Sequence, residues 1–378
     1  MNDGDRRAIL LVEASERDSD LLWASGFRAG DPFVFAEIGG RTHILLTDLE
    51  LGRGRKESKV DEVLSWSQMA KDAKAAAGAE QIRYSEVIAH FLKSREVTAL
   101  RVPAKFPLRL ADELRQLGFD LETAPDPFYA ARGRKTAEEV AHLEEAQQIT
   151  ESAMLFAIDQ IRASEVRNGD LYLEGEPLDV ARLKKMVRVF CLEREMALGE
   201  FIIAPGDQGC DPHDCGSGPL RADETIIIDI FPRHLNTLYW GDMTRTVVKG
   251  SASDELKKLH ATVKEAQEAA VNAIAPGVTG DAVHAVVQEI FTREGYVTEL
   301  KNGEWVGFFH GTGHGLGLDI HEPPRLMRGG PVLEEGMVVT VEPGLYYPGL
   351  GGCRIEDVVV VTADGCRNFN RAPKDLEV

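Results

Sequence analysis

Four carboxylates and one imidazole are the side chains of this sequence whose types and surroundings could do chemistry together. They are Asp229, Asp242, His314, Glu342 and Glu356, and each lies in a strand-like or glycine-rich stretch. Ionised carboxylates that are brought close together repel one another unless cations lie between them. Carboxylate oxygens with a single imidazole nitrogen suit hard or borderline divalent ions. We therefore expect these five side chains to hold two metal ions.

The four carboxylates form two pairs whose sequence surroundings are alike. The first pair lies in TIIIDIF and DMTRTVV, and the second lies in MVVTVEPG and RIEDVVVVT. Such runs of β-branched residues are typical of strands. We expect two hairpins, each of which sets two carboxylates side by side. Any one of these residues alone is explained more simply as an acidic residue at a strand end, but five candidate ligands together are not.

A glycine-rich motif, HGTGHGLGLDIHE, spans residues 310–322 and concentrates the three imidazoles of His310, His314 and His321. Glycine allows the backbone to approach a ligand closely. A phosphate-binding loop is the alternative, but such a loop opens a helix and usually has a basic residue nearby. Because histidines stand among these glycines, the motif favours a metal site.

These segments carry a resemblance to a known family. GDMTRTV, HGTGHGLGLDIHE, TVEPGLYY and GCRIEDVVVVT resemble the metallopeptidases of family M24, which have the pita-bread fold and include prolidase, aminopeptidase P and methionine aminopeptidase. The preceding part resembles the creatinase-like N-terminal domain of prolidases. The resemblance implies an α+β protein with a smaller α/β creatinase-like domain over residues 1–132. A pita-bread catalytic domain is expected over residues 133–378.

The same resemblance implies how the ligands divide between the metals. Asp229 would hold one metal, Asp242 and Glu356 would bridge both, and His314 and Glu342 would complete the second site. Manganese is the first choice of metal, with cobalt and zinc as alternatives. Two metals bridged by carboxylates lower the pKa of a shared water and polarise a carbonyl. We therefore expect hydrolysis of an acyl bond by a metal-bridging hydroxide.

One departure from the family pattern concerns the first pair of carboxylates. The family usually separates its two aspartates by a shorter turn and has a glycine two residues after the first, whereas IFPRHLNTLYWG fills the gap here and Phe231 stands at that position. Side chains alternate along a strand with a period of two. We therefore expect a longer hairpin in which Asp229 and Asp242 still share a face.

Further residues have roles in the proton transfers and in substrate binding. Glu342 is the natural general base and later acid, and charge balance alone is its alternative role. By the resemblance, His213 binds substrate, and His310 and His321 line the pocket. His321 would stabilise the tetrahedral intermediate or protonate the leaving nitrogen. By the same resemblance, Tyr346 and Arg354 order the surroundings of the metals and bind substrate, and a purely structural role is the alternative for both.

The preference for proline rests on the resemblance. Arg325, in HEPPR, lies where short prolidases keep an arginine that receives the substrate's terminal carboxylate. A guanidinium can pair with a carboxylate through two hydrogen bonds, which would favour dipeptides with proline in second position. A surface arginine at a turn is the alternative. We expect an Xaa-Pro dipeptidase first, an Xaa-Pro aminopeptidase second, and a non-catalytic binding module only if ligand positions were missing.

Composition bounds the partners and the compartment. The formal charge of −19 over 378 residues argues against nucleic acid or an anionic membrane as a partner. The sequence contains neither a membrane-spanning apolar stretch nor a signal-like apolar core in residues 1–18.

Five scattered cysteines indicate reduced thiols and a cytoplasmic protein. Cys210 and Cys215 flank His213, and the zinc site that this suggests lacks a second ligand pair. By analogy, we expect a homodimer.

Local patterns predict several helices. Thr136 and Glu139 have the spacing of a capping box, which predicts a helix start at the beginning of the second domain. Apolar residues recur at helical spacing from about Asp254, which predicts a second helix that serves packing. In the first domain, DEVLSWSQMAKDAKAAAG is interpreted as helical.

Overall fold

The structure, a computed structural model, describes residues 7–378. The first six residues of the N-terminal segment, for which no signal-like core is predicted, lie outside the described residues. The chain divides into two compact units between Arg132 and Gly133. Within residues 7–378, no helix is both long and apolar enough to cross a bilayer.

The first unit is an α/β layer built on one mixed sheet. The spatial order of its six strands is β4-β3-β2-β1-β5-β6. The strands are β1 (Ala8–Glu13), β2 (Phe33–Ile38), β3 (Arg41–Leu46), β4 (Glu62–Ser65), β5 (Ala99–Pro103) and β6 (Asp120–Ala124). The helices are α1 (Ser19–Ser25), α2 (Leu51–Glu57), α3 (Trp66–Ala77), α4 (Tyr84–Lys93) and α5 (Leu108–Gln116).

The predicted helix over DEVLSWSQMAKDAKAAAG is wrong in its first third. Residues Glu62–Ser65 form β4, which pairs in parallel with β3. Helix α3 begins only at Trp66, where the Ser65 hydroxyl accepts a hydrogen bond from the backbone N–H of Gln68. Because the hydroxyl satisfies a free N–H of the first turn, Ser65 fixes the helix start. Pairing with a distant strand overrides the local preference of the preceding residues.

The second unit carries four further α-helices. They are α6 (Ala137–Ala163), α7 (Val180–Leu192), α8 (Asp254–Ala273) and α9 (Gly280–Arg293). The predicted capping box is confirmed: the Thr136 hydroxyl accepts from the N–H of Glu139, and the Glu139 carboxylate accepts from the N–H of Thr136. The helix predicted from Asp254 is confirmed as α8, and Ser253 is its N-cap.

Two sheets of the second unit position the candidate ligands. One has three strands in the order β11-β12-β14, and the other has five in the order β18-β17-β19-β22-β23. The strands in the unit are β7 (Glu165–Arg167), β8 (Asp170–Leu173), β9 (Glu176–Pro177), β10 (Met196–Ala197), β11 (Ile202–Pro205), β12 (Thr225–Ile230), β13 (Arg233–His234), β14 (Met243–Val248), β15 (Glu299–Lys301), β16 (Glu304–Val306), β17 (Gly313–Gly315), β18 (Glu322–Leu326), β19 (Val338–Val341), β20 (Gly344–Tyr347), β21 (Gly351–Arg354), β22 (Asp357–Thr362) and β23 (Gly365–Asn368).

Each of these sheets packs one face against helices. Buried residues of α6 and α7 form one core with Ile226, Ile228 and Met243 of the three-stranded sheet. Buried residues of α8 and α9 form a second core with Val339 and Val359 of the five-stranded sheet. Since side chains alternate between the faces of a strand, the residues between these core positions point to the opposite face, where the candidate ligands lie.

A buried histidine of α8 makes stability depend on pH. Burial, followed by the charge of Lys264, lowers the pKa of His260 from 6.5 to about 4. As the pH falls below 6.5, the imidazole is therefore protonated in the unfolded chain before it is protonated in the folded one. The stability that neutral His260 contributes is fully present above pH 6.5 and is lost as the pH falls toward 4. We expect His260→Gln to remove about 2 to 3 kcal/mol of the fall in unfolding free energy between pH 7 and pH 4. Urea unfolding at both pH values, with chelator present, measures this, and an equal fall in both proteins would contradict it.

Candidate metal centre

The first pair of carboxylates lies on one face of the three-stranded sheet. Strands β12 and β14 are antiparallel, with Asp229 opposite Thr244 and Ile230 opposite Met243. Asp242 directly precedes β14, so it has the same parity as Thr244 and shares the face of Asp229. The longer connection therefore leaves both aspartates on one face, as the alternation of side chains predicts.

The other three candidate ligands come from the five-stranded sheet. His314 is the middle residue of β17, Glu342 follows the end of β19, and Glu356 precedes β22. Strands β19 and β22 pair in antiparallel register. The sequence predicted that these two strands form a simple hairpin. They do not, because the separate hairpin of β20 and β21 is inserted between them in the chain. Two carboxylates still meet at one end of adjacent strands.

The side chains from the two sheets converge. The Nε2 atom of His314 lies 3.6 Å from Oδ2 of Asp242 and 3.3 Å from Oε1 of Glu342. One potential ligand atom each from Asp242, His314 and Glu356 lie within 4.8 Å of one another. In the part of the chain that the structure describes, this is the one group of three that meets that distance.

Asp229 faces the same cavity but has a different partner. Its Oδ2 atom accepts a hydrogen bond of 2.7 Å from Nη2 of Arg354. Its Oδ1 atom is buried and has no hydrogen-bond partner. A buried carboxylate oxygen without a partner carries a desolvation cost that a cation would offset. The free oxygen of Asp229 therefore fits the position of a metal ligand.

The electrostatics of the carboxylates also fit bound cations. Burial, followed by the charge of Asp229, raises the pKa of Asp242 well above its ordinary value. Burial and the charge of Asp242 raise the pKa of Glu356 in the same way. Burial raises the pKa of Glu342 to about 7. Each shift means that the ionised form is disfavoured without compensating positive charge.

The imidazole of His314 is in the protonation state that can coordinate a cation. Burial lowers the pKa of His314 to about 4, so the ring is neutral at pH 7. Its Nδ1 atom lies 3.1 Å from the carbonyl oxygen of Gly315, which fixes the proton on Nδ1. The unprotonated Nε2 then faces carboxylate oxygens, which are also acceptors. Acceptors that face one another across about 3.5 Å fit a shared cation.

Three polar residues that the sequence did not single out support the candidate ligands. The Gln147 amide donates to the carbonyl of Asp242 at 2.6 Å and accepts from its N–H at 2.8 Å. Thr244 donates to Glu356 at 2.8 Å. Thr340 donates to Glu342 at 3.2 Å. The two threonines lie in the ligand motifs and could have been noticed there, but Gln147 lies on α6 and has no local signal.

Most of the predicted substrate-binding residues line the same cavity, which has a volume of about 750 Å³. His213, His310, His321 and Arg325 line it together with the five candidate ligands. Arg325 stands opposite His314 in the pairing of β17 and β18. A concave site of this size, with a few convergent polar groups, is typical of small-molecule binding.

Tyr346 lies behind the wall of this cavity. It is fully buried, and its hydroxyl lies 2.9 Å from Nε2 of His310. The other ring nitrogen of His310 lies 2.7 Å from the carbonyl oxygen of Gly311 and therefore carries the proton. The Tyr346 hydroxyl must then donate to His310 while it accepts from Nη1 of Arg354 at 3.0 Å. Tyr346 thus connects His310 to the arginine that holds Asp229.

The longer connection between Asp229 and Asp242 has a structure of its own. Residues Arg233–His234 form β13, which pairs with β10. Near the end of the connection, the backbone N–H of Trp240 donates to the carbonyl of Gly317 at 3.1 Å. The indole N–H of Trp240 donates to the carbonyl of Leu318 at 3.0 Å. The connection is therefore fastened to the glycine-rich motif.

The zinc site suggested by Cys210, His213 and Cys215 finds no support in the described residues. The five cysteines are unpaired thiols. Burial raises the pKa of Cys210 to about 12, so it is not a thiolate at neutral pH. The group of candidate ligands that the structure brings together lies elsewhere in the cavity.

Comparison with known proteins identifies the class to which this fold and this cluster belong. The chain matches metallopeptidase family M24 over residues 141–363, which is more than half of its length. The chain therefore belongs to family M24, as its motifs predicted.

The proteins to which the chain is similar include an Xaa-Pro dipeptidase and an X-Pro aminopeptidase. The chain is 34% identical to an Xaa-Pro dipeptidase of Pyrococcus furiosus over 64% of both chains, so the alignment spans less than two thirds of that relative. A solved Xaa-Pro dipeptidase from Bacillus anthracis is 26% identical, with a TM-score of 0.80 over 98% of this chain and 95% of that chain. An X-Pro aminopeptidase from Thermotoga maritima is 24% identical, with a TM-score of 0.81 over 98% and 97% of the two chains, and supports the fold alone. The predicted pita-bread fold is confirmed.

Gln147 holds the backbone of Asp242 through two hydrogen bonds, which we call the clamp on Asp242. The clamp should make a measurable contribution to metal binding. We expect Gln147→Leu to weaken manganese binding by about tenfold to a hundredfold, because it leaves the buried N–H and C=O of Asp242 without their partner. Isothermal titration of the metal-free protein measures the affinity. Gln148→Leu is the matched control, since Gln148 is its exposed neighbour on α6. Equal affinities in the two variants would show that the clamp does not position Asp242.

Proposed function

We propose that this chain is a metal-dependent Xaa-Pro dipeptidase, which hydrolyses the bond between an N-terminal residue and proline. The observation that carries the proposal is the position of Arg325, which lines the same cavity as the five candidate ligands and pairs in register with His314. A guanidinium beside the ligands can receive the carboxylate of a short peptide. The relatives named Xaa-Pro dipeptidase support the same activity.

We assign Asp229, Asp242, His314, Glu342 and Glu356 to two divalent ions, with manganese as the first choice and cobalt and zinc as alternatives. When bound, such ions neutralise the carboxylates, activate water and polarise a peptide carbonyl. The support lies in the buried unpartnered oxygen of Asp229, in the facing acceptor atoms around His314, and in the raised carboxylate pKa values. The oxygen-rich donor set agrees with a hard or borderline ion.

The proposal gives Glu342 the proton transfer. Its Oε1 atom lies 3.3 Å from His314 and accepts a hydrogen bond from Thr340, which fixes the orientation of the carboxylate. A carboxylate held in this way can take a proton from the attacking water and return it to the leaving nitrogen. His213 and His321 are exposed on the cavity wall and are free to contact a peptide. His310 and Tyr346 hold Arg354 in place.

An Xaa-Pro aminopeptidase is the second candidate. The cavity volume of about 750 Å³ is in the upper part of the range for small-molecule sites and leaves room for a peptide longer than two residues. Hydrolysis of an Xaa-Pro dipeptide and of an Xaa-Pro-Xaa tripeptide, with and without added manganese, tests both. Cleavage of the dipeptide alone supports the proposal, and preferential cleavage of the tripeptide supports the aminopeptidase.

The remaining expectations are proposals of the same kind. We propose that the units before and after residue 132 are the creatinase-like and catalytic domains. The unpaired cysteines agree with a cytoplasmic location. The homodimer expected by analogy stays a prediction, and mass measurement in solution would test it.

Removal of the guanidinium tests the assignment of Arg325. We expect Arg325→Ala to raise KM for an Xaa-Pro dipeptide by about tenfold to a hundredfold, because charge-assisted hydrogen bonds to the substrate carboxylate are lost. The matched control is Arg328→Ala, which removes an exposed arginine three residues away. Unchanged KM for the dipeptide in Arg325→Ala would refute the assignment.

Replacement of the proposed base tests the role of Glu342. We expect Glu342→Gln to lower kcat by about a hundredfold or more, because an amide cannot accept the proton. Glu335→Gln, at an exposed glutamate in the turn that precedes β19, is the control and should keep full activity. Metal content is measured in both, and a Glu342→Gln protein that retains kcat would exclude Glu342 as the base.

A further inference from the structure

An apolar wall flanks Asp229 on the three-stranded sheet. Ile202 of β11 stands directly opposite Asp229 of β12. Phe231 lies two residues beyond Asp229, just past the end of β12, and so continues the same face. Both apolar side chains line the cavity that contains the candidate ligands. A peptide bound at the ligands would therefore meet hydrocarbon on this side.

The wall is held by packing on two sides. Phe231 is partly buried, and it contacts the core between the three-stranded sheet and helices α6 and α7. Ile202 is only 6% exposed and packs with Ile227 and Tyr346, against which Phe309 also rests. Side chains fixed in this way offer a preformed surface, which lowers the entropy cost of binding.

The direction of the substrate follows from the charge at the other side of the site. Arg325 lies on the five-stranded sheet, beside His314, whereas Phe231 directly follows β12 of the three-stranded sheet, two residues from Asp229. A dipeptide whose carboxylate pairs with Arg325 places its proline toward the five-stranded sheet. Its N-terminal residue then extends toward the three-stranded sheet and the apolar wall.

We propose that Phe231, with Ile202, forms the binding surface for the side chain of the N-terminal residue and selects dipeptides in which that residue is a large aliphatic one. The proposal rests on the proposed Xaa-Pro dipeptidase function. Differences of a few methylene groups in an apolar pocket change kcat/KM by one to two orders of magnitude. Leu-Pro is therefore the better substrate, and Gly-Pro, which has no side chain to bury, is the poorer one.

The test compares kcat/KM for Leu-Pro and Gly-Pro in four proteins. They are the unchanged chain, Phe231→Ala, Phe231→Leu and the control Phe190→Ala. Phe190 is also partly buried against the same core, where it stacks on Phe156 at 4.6 Å, but it does not line the cavity. We expect the ratio of Leu-Pro to Gly-Pro to fall about tenfold in Phe231→Ala, to fall by a smaller but measurable factor in Phe231→Leu and to stay unchanged in Phe190→Ala.

The outcomes separate this proposal from the function on which it rests. A parallel loss of both activities in Phe231→Ala, or an unchanged ratio, would overturn the role of Phe231 while leaving the dipeptidase function in place. A metal-loaded unchanged chain that cleaves neither dipeptide would overturn both. Should Phe231→Ala fail to fold, the smaller change in Phe231→Leu still decides the matter, because the proposal requires a measurable fall in the ratio and a general loss of stability does not.

Discussion

Electrostatic repulsion among buried carboxylates is the constraint on which the rest of this structure depends. Asp242 and Glu356 are almost completely buried, and Asp229 and Glu342 lie in the same cavity. Burial of unpaired negative charge costs several kcal/mol for each ion, and the cost rises as the ions approach. The surrounding side chains offset only part of it, since Thr244 and Thr340 are neutral donors and the charged donor Arg354 is paired with Asp229. The fold therefore holds together a set of groups that added positive charge would stabilise.

The two sheets explain how the chain keeps such a set in place. Each packs one face against helices through a continuous apolar core and turns the other face to the cavity. The candidate carboxylate ligands stand at or near strand ends and His314 stands in a short strand, so that pairing fixes the backbone on at least one side. Close approach is part of the design: a Cβ on Gly313 would lie 1.9 Å from the carbonyl oxygen of Thr340, so only glycine lets β17 carry His314 so near β19.

Local patterns in the sequence were sufficient for some of this and not for the rest. The strands around Asp229 and Glu342, and the capped start of α6, follow from short-range rules of alternation and capping. The residues of the candidate metal centre could be chosen from the sequence because their motifs are short and contain several carboxylates and imidazoles. The clamp of Gln147 on Asp242 joins residues that are far apart in sequence. The inserted hairpin exists because β20 and β21 pair with each other and not with β19 and β22, which the local sequence does not determine. Likewise, β4 forms because it pairs with β3, and this pairing cannot be predicted from the local propensity of its residues.

The two hydrogen bonds of Trp240 have a consequence for how this family's parts can be exchanged. They tie the connection between the two aspartates to the backbone at Gly317 and Leu318, midway between two histidines of the glycine-rich motif. A shorter connection that lacks this tryptophan would leave the carbonyl of Leu318 without its indole donor. The connection between the aspartates and the glycine-rich motif should therefore be exchanged together. A chimera that receives only one of them loses the contact that Trp240 makes between the two.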